Sequence, residues 1–209
     1  MKIDICVLLD RSGSMAAIKS DMEGGLDGFV EEQKKLEGEC RFSFARFDTE
    51  FEWVHERIPI ADVRHLALEP RGMTALNDAF GKTLIDLDKA LAEDISAKPD
   101  KVIVCVITDG EENSSREFRK EQVKNLVSEH ASWEFVFLGA NVDAFAEGAS
   151  YGVGHDTTMA YAATGDSVAA SFQAFTVNTS SLRGGSKADM SWTDEQREAQ
   201  EEANRKKKH

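Results

Sequence analysis

Residues 3–14 read Ile3-Asp4-Ile5-Cys6-Val7-Leu8-Leu9-Asp10-Arg11-Ser12-Gly13-Ser14, an apolar run that stops at an aspartate and two serines flanking a glycine. A run this short and apolar is what a strand buried on both faces looks like. The residues after it put one carboxylate and two hydroxyls on a tight loop whose glycine permits a sharp turn. Alone, such a loop serves equally well as a turn or a helix cap. Working outward, comparable runs of Val, Ile and Phe recur at 41–47, 102–108 and 133–139, separated by longer segments with helical spacing. This alternation predicts a largely parallel sheet with helices on both faces. Residues 51–55 follow the second run after the turn Asp48-Thr49-Glu50 and predict an antiparallel edge strand, and 157–162 a weaker one.

Ile18, Met22, Leu26, Phe29, Gln33 and Leu36 recur at steps of three or four, the spacing of an amphipathic helix with one polar slip. Gly24, Gly25 and Gly28 weaken that helix by up to ~1 kcal/mol each relative to alanine. A second helix follows Thr74, with Leu76, Phe80, Leu84, Leu87 and Leu91 as its buried stripe. Ser114-Ser115-Arg116-Glu117 reads as a capping box opening a helix that carries Phe118, Val123, Leu126 and Val127. Further helices are expected at 141–151 and 166–177. Beyond residue 180 the composition changes, with Gly184-Gly185-Ser186-Lys187 as a linker and an almost wholly polar stretch from 194 to 208. Thr193 and Gln196 form a capping box, and early acids with Lys206, Lys207 and Lys208 complement a helix dipole, yet no apolar stripe follows. The expectation is therefore a domain over 1–180 and a polar tail over 181–209, a solvated appendage, flexible or helical, with a partner-docking helix as the alternative.

The 209 residues suffice for one ordinary domain. A formal charge of −13 disfavours nucleic-acid binding, since a negative surface repels phosphate before contact. Cys6, Cys40 and Cys105 are odd in number and lie in apolar runs, which suits reduced, buried thiols. The N-terminal run is too short for a signal-peptide core, and nothing approaches the ~18 apolar residues of a membrane span. These features predict a cytoplasmic protein without membrane contact. His55, His65, His130, His155 and His209 show no i,i+4 pairing that would suggest zinc. Without a Walker loop, G-x-S-x-G or a His-carboxylate pair, no enzymatic activity is expected.

Two distant segments bear on the Asp10–Ser14 loop. Thr74, in Arg71-Gly72-Met73-Thr74-Ala75-Leu76, could simply cap the next helix with Asn77 at the reciprocal position, and Asp109-Gly110 could be a plain turn. In a parallel sheet, however, loops at the carboxyl ends of strands meet where the strand order reverses. Asp10, Ser12, Ser14, Thr74 and Asp109 together resemble the metal-ion-dependent adhesion site (MIDAS) of the von Willebrand factor type A family: D-x-S-x-S, a distant threonine and a distant aspartate. The resemblance extends over residues 1–178. It implies a doubly wound, Rossmann-like α/β fold in the order 3-2-1-4-5-6, with one antiparallel edge strand and the site between the first and fourth strands.

The resemblance also implies roles for these residues. Ser12 and Ser14 would coordinate the cation directly, Thr74 directly or through water, and Asp10 and Asp109 largely through water and hydroxyl hydrogen bonds. Oxygen donors of this kind suit a hard cation, Mg²⁺ first, with Mn²⁺ or Ca²⁺ compatible. The implied function is a protein-binding module whose cation accepts a partner's Asp or Glu. Similarity to intracellular bacterial and phage members suggests an AAA-type ATPase or an assembly protein as that partner. The alternatives are a structural subunit whose metal only stabilises the loops, and a metal-assisted hydrolase using Glu111 or Glu112 as base. Arg11 and Arg71 are expected as exposed loop arginines, solvated or facing an acidic partner.

Overall fold

The first strand, β1 (Ile3–Asp10), is buried along its whole length, which requires a neighbour on each edge and a layer on each face. In the computed structural model, which describes residues 1–94, 98–140 and 143–206, β1 pairs in parallel with β2 (Cys40–Phe47) and β4 (Lys101–Thr108). β3 (Phe51–Pro59) runs antiparallel to β2 at one edge. β5 (Glu134–Gly139) and β6 (Thr158–Ala160) extend the other side in parallel. The order is β3-β2-β1-β4-β5-β6, as expected. From β1 the chain builds outward to β3, then crosses back to β4, so the crevice of the doubly wound sheet opens between the carboxyl ends of β1 and β4.

Alternation along β1 divides the core. Ile3, Ile5, Val7 and Leu9 face a layer with α1 (Lys19–Lys34) and α5 (Gly165–Arg183). Cys6 and Leu8 face a layer with α2 (Leu76–Glu93) and α3 (Lys120–Glu129). Each buried Val, Leu, Ile or Phe contributes roughly 1.5–3 kcal/mol. A 3₁₀ turn, Gly13–Ile18, leads from the first loop into α1, which runs unbroken through its glycines. Gly25 is there for packing, since a Cβ would stand 2.2 Å from the Phe172 ring of α5. Next to it the Phe29 and Phe175 rings stack 4.6 Å apart. The polar slip Gln33 is fully buried and satisfied, its Nε2 donating to Ser180 Oγ at 3.0 Å and its Oε1 accepting from Arg183 Nη1 at 3.1 Å. The three cysteines are free and buried. Among the described residues no helix is long and apolar enough to cross a membrane.

Two expectations are corrected. The Ser114-Ser115 segment does not open a helix: α3 begins at Lys120, where Gln122 Oε1 accepts the Arg119 N–H at 2.8 Å. The serines are held instead by Glu112, and Asp78 of α2 accepts the backbone N–H groups of Arg116, Glu117 and Phe118. Phe118 consequently lies against Gly81 of α2, where a Cβ would come within 2.6 Å of its ring. The second correction concerns the tail. α5 extends through residue 183, Met190 and Trp192 join the core, and α6 (Asp194–Arg205) docks on α5 rather than standing in solvent. It buries Ala203 and is otherwise held by polar contacts. Gln196 Nε2 donates to Asn178 Oδ1 at 2.9 Å, Gln200 Nε2 to Ser167 Oγ at 2.7 Å, and Asn204 Oδ1 accepts from Ala162 N at 2.9 Å. These three residues recur at the four-residue helical step, so they share one face. Lys207, Lys208, His209, and Asn141 and Val142 of the expected helix 141–151 lie outside the described residues; α4 spans Ala144–Ser150.

Because Gln200 is buried and hydrogen-bonded to Ser167 and Ser171, Gln200→Ala should strand buried polar groups and cost ~1–3 kcal/mol. Thermal denaturation should record a fall of about 2–10 °C. Glu201→Ala, one residue along on the exposed face, should leave the midpoint within about 2 °C. Equal midpoints for the two variants would restore the solvated tail.

Candidate metal centre

Three loops at the carboxyl edge meet through their backbones before any side chain is considered. Arg11 N donates to Phe47 O at 2.7 Å, Arg71 N to Arg11 O at 2.7 Å, and Gly13 N to Gly72 O at 3.3 Å. Gly72 has φ 68°, a conformation glycine adopts without strain, and its carbonyl thereby reaches the serine loop. On the other side Asn113 N donates to Thr74 O at 3.0 Å, and Thr74 N donates to Asn113 Oδ1 at 3.0 Å.

The side chains expected to form the site are brought together. Ser14 Oγ donates to Asp109 Oδ1 at 2.6 Å, although 95 residues separate them in sequence. Ser12 Oγ and Ser14 Oγ are 3.1 Å apart. Asp10 Oδ1 accepts the Ser12 N–H at 2.6 Å, so the local turn and the cluster coexist. Its Oδ2 accepts from Thr108 Oγ1 at 2.7 Å. Thr74 Oγ1 lies 3.1 Å from where a Cβ on Gly110 would stand, a close approach that places it beside the residue following Asp109. Thr74 is not a helix cap: α2 begins after Ala75 without a side-chain cap, and its free N–H groups go to the loop after β4. Asn77 N donates to Glu112 Oε2 at 2.8 Å and Asp78 N to Ser115 Oγ at 3.0 Å.

Electrostatics decide what this cluster can hold. Asp10 is 0% exposed and Asp109 2%, and among the described residues neither has a basic side chain in ion-pair contact. Burial pushes the Asp10 carboxyl up to about 6, against the lowering hydrogen bonds from Thr108 and Ser12. Burial likewise raises Asp109, opposed by the Ser14 hydroxyl. Asp48, which follows Phe47, the β2 residue paired with Asp10, behaves oppositely. Burial pushes it up too, but hydrogen bonds from Arg71 and the Glu50 N–H, with the charges of Arg11 and Arg71, bring it below the usual carboxylate range. The fold thus supplies arginines to Asp48 and none to Asp10 or Asp109. Two buried carboxylates and three hydroxyls, with no cationic side chain in contact among the described residues, form a donor set whose chemistry fits a hard divalent cation. Among the described residues no group of three or more His, Cys, Asp or Glu could hold a metal, so a soft-metal or all-carboxylate cage is not what this edge offers.

Arg11 departs from expectation. It is 2% exposed, with Nε on Asp48 Oδ2 at 2.8 Å and Nη1 on Glu52 Oε2 at 2.6 Å. Arg71 is half exposed but bound to Asp48 and Glu50. Sequence reasoning gave no site role to Asp48, Thr108 or Asn113, and considered Glu112 only as a base rather than as the residue that fastens its loop to α2. Asp48 had a signal: like Asp10 and Asp109, it is the aspartate that closes an apolar strand at the same sheet edge.

No protein-family model matches the sequence, and no curated protein matches it. In three dimensions the chain is similar to proximal thread matrix protein 1 from the mussel byssus, with a TM-score of 0.64 at 15% identity, over 83% of this chain and 46% of that one. It is also similar to a von Willebrand factor type A protein from Catenulispora acidiphila, with a TM-score of 0.57 at 15% identity, over 86% of this chain and 43% of that one. The chain spans less than half the length of either. At this identity the likeness concerns the fold, and the chain has the von Willebrand factor type A fold.

The raised Asp10 pKa has a consequence for the metal-free protein. Between the unfolded value of 3.8 and about 6 the folded state binds the extra proton. Stability from this group is therefore present at low pH and is lost as pH rises through that window, on the order of 3 kcal/mol in total. Asp10→Asn, which cannot ionise, should gain on the parent as pH is raised from about 5 to about 7 in chelator. Melting midpoints that differ by the same amount across that range would contradict the buried, unpaired carboxylate.

Proposed function

We propose that this chain is a divalent-cation-dependent protein-binding module, its site formed by Asp10, Ser12, Ser14, Thr74 and Asp109. The observation that carries the proposal is the pair of buried carboxylates with no basic partner among the described residues, gathered with the Ser12 and Ser14 hydroxyls of one loop and the Thr74 hydroxyl of another at the sheet's switch point. Bound there, Mg²⁺ would supply a Lewis acid able to accept a carboxylate from a partner's Asp or Glu. The protein's own residues set the conditions. Ser14 donates its hydroxyl hydrogen bond to Asp109, which turns its oxygen lone pairs away from that carboxylate. Asp10 contributes charge while its oxygens remain engaged by Ser12 and Thr108, so the donors nearest the cation are neutral. Met73, 51% exposed beside Thr74, offers an apolar contact to whatever approaches. An AAA-type ATPase or an assembly protein is the kind of partner proposed, on the resemblance alone.

The hydrolase reading finds no support in the loop after β4. Glu112 accepts hydrogen bonds from Asn77 N, Ser114 N, Ser115 N and Ser115 Oγ, which commits it to capping α2 and fastening its own loop. Glu111 is exposed. A purely structural cation remains the competing reading, and it predicts retention of the ion without partner exchange.

Mg²⁺ at about ten times its dissociation constant should stabilise the protein by ~1.4 kcal/mol, raising the melting midpoint by about 3–6 °C for a chain of this size. Ser12→Ala should abolish the rise while leaving the metal-free protein folded. In affinity capture from lysate, a partner held in Mg²⁺ should be released by chelator. Identical recovery in both buffers, with the thermal shift intact, would leave only the structural cation.

A further inference from the structure

A chain of ion pairs runs behind the candidate site without including any of its five residues. Arg46 binds Glu52 at 3.0 Å, Glu52 binds Arg11 at 2.6 Å, Arg11 binds Asp48 at 2.8 Å, Asp48 binds Arg71 at 2.7 Å, and Arg71 binds Glu50 at 2.7 Å. Asp48 is its centre and is 1% exposed. A single oxygen, Oδ2, accepts from Arg11 Nε and Arg71 Nε together. The other, Oδ1, accepts from Glu50 N at 2.7 Å, and the Asp48 carbonyl accepts from Ala75 N at 2.9 Å.

Each arm reaches a residue next to, or leading into, one of the site's residues. Arg11 stands between Asp10 and Ser12 in the chain, and Ala75 directly follows Thr74. Arg71 begins the turn that leads to Thr74, and its N–H is bonded to the Arg11 carbonyl. The serine loop and the threonine loop thus converge on one buried carboxylate from a third strand. Buried ion pairs contribute little net stability because desolvation offsets their attraction. What they do supply is fixed geometry, and residues behind a metal site that orient its ligands commonly govern affinity by 10–100-fold.

We propose that Asp48 is a positioning residue for the cation site, setting through Arg11 and Arg71 the separation between the Ser12 and Ser14 hydroxyls and the Thr74 hydroxyl. This rests on the cation-binding reading of those residues. Arg71 gives the cleaner test because its side chain is 55% exposed and its removal leaves no cavity in the core, whereas Asp48→Asn also leaves Arg11 with less compensation.

Mn²⁺ is the probe, titrated into the full chain and followed by the electron paramagnetic resonance of the free ion, with melting midpoints taken in chelator. Arg71→Ala should bind Mn²⁺ about tenfold or more weakly, while its metal-free midpoint stays within about 2 °C of the parent. Arg71→Lys keeps the charge without the planar fork and should fall between the two. Asp48→Asn should weaken binding at least as much as Arg71→Ala. Parental Mn²⁺ affinity in Arg71→Ala overturns the proposal. So does a loss of affinity accompanied by a comparable loss of metal-free stability, because that is what a merely structural ion pair would give. Failure of the parent itself to bind millimolar Mn²⁺ overturns the cation reading and this inference with it, and is seen before any substitution is made.

Discussion

Asp10 ends the central strand fully buried, with its two oxygens held by a backbone N–H and a threonine hydroxyl and, among the described residues, no basic side chain in contact. A buried carboxylate without a counter-charge is costly, and the ordinary remedy of a neighbouring arginine is at hand but used elsewhere. Arg11 is the very next residue, yet its guanidinium turns to Asp48 and Glu52. The architecture around the site follows from that partition. β1 must be covered on both faces to bury Asp10, the switch point must bring Asp109 to it, and Asp48 must draw the arginines off. The unmet charge that remains at Asp10 and Asp109 is what the proposal of a cation site rests on.

Much of this was legible in the sequence because parallel strands bury both faces and so read as continuous apolar runs. β1, β2, β4 and β5 all lie within two residues of the expected ranges, and the antiparallel edge at β3 followed from the short turn before it. The five candidate ligands were legible for a related reason: their types and order are unusual as a set even though each has a bland local explanation. Two of them meet directly in the Ser14–Asp109 hydrogen bond, and Thr74 Oγ1 stands close to the Cα of Gly110, where an added Cβ would lie 3.1 Å from it.

What escaped the sequence shares one physical property, polar side chains satisfied by tertiary partners. Hydrophobic periodicity cannot register such contacts. Ser114-Ser115 looked like a capping box because serine and glutamate satisfy local N–H groups, but Asp78 and Glu112 claimed those groups first. The tail looked solvated because α6 carries no apolar stripe. It docks through Gln196, Gln200 and Asn204, whose amides bond to α5 and to the strand-end loop at Ala162. Polar spacing at every fourth residue was the available signal, and it is weaker than an apolar stripe because exposed helix faces show it too.

These polar contacts also differ mechanically from the apolar core. A Phe29–Phe175 stack tolerates small sliding at little cost, since dispersion is non-directional and spread over many atoms. An arginine fork shared between two loops does not, because its hydrogen bonds weaken steeply once angle or distance is lost. The fold assigns each kind of contact accordingly. Apolar layers carry the stability of the sheet and its helices, while directional bonds lie where position matters most: at Asp48 behind the serine and threonine loops, at Glu112 over the start of α2, and at Asn204 under the turn that carries Tyr161. Tyr161 closes the last of these connections, its hydroxyl donating to the Thr108 carbonyl at 3.3 Å while the Thr108 side chain donates to Asp10. A displacement of α6 therefore has a route of directional contacts to the carboxylate of Asp10, and α5 joins the same route where Ser167 Oγ accepts the Ala162 N–H at 2.8 Å.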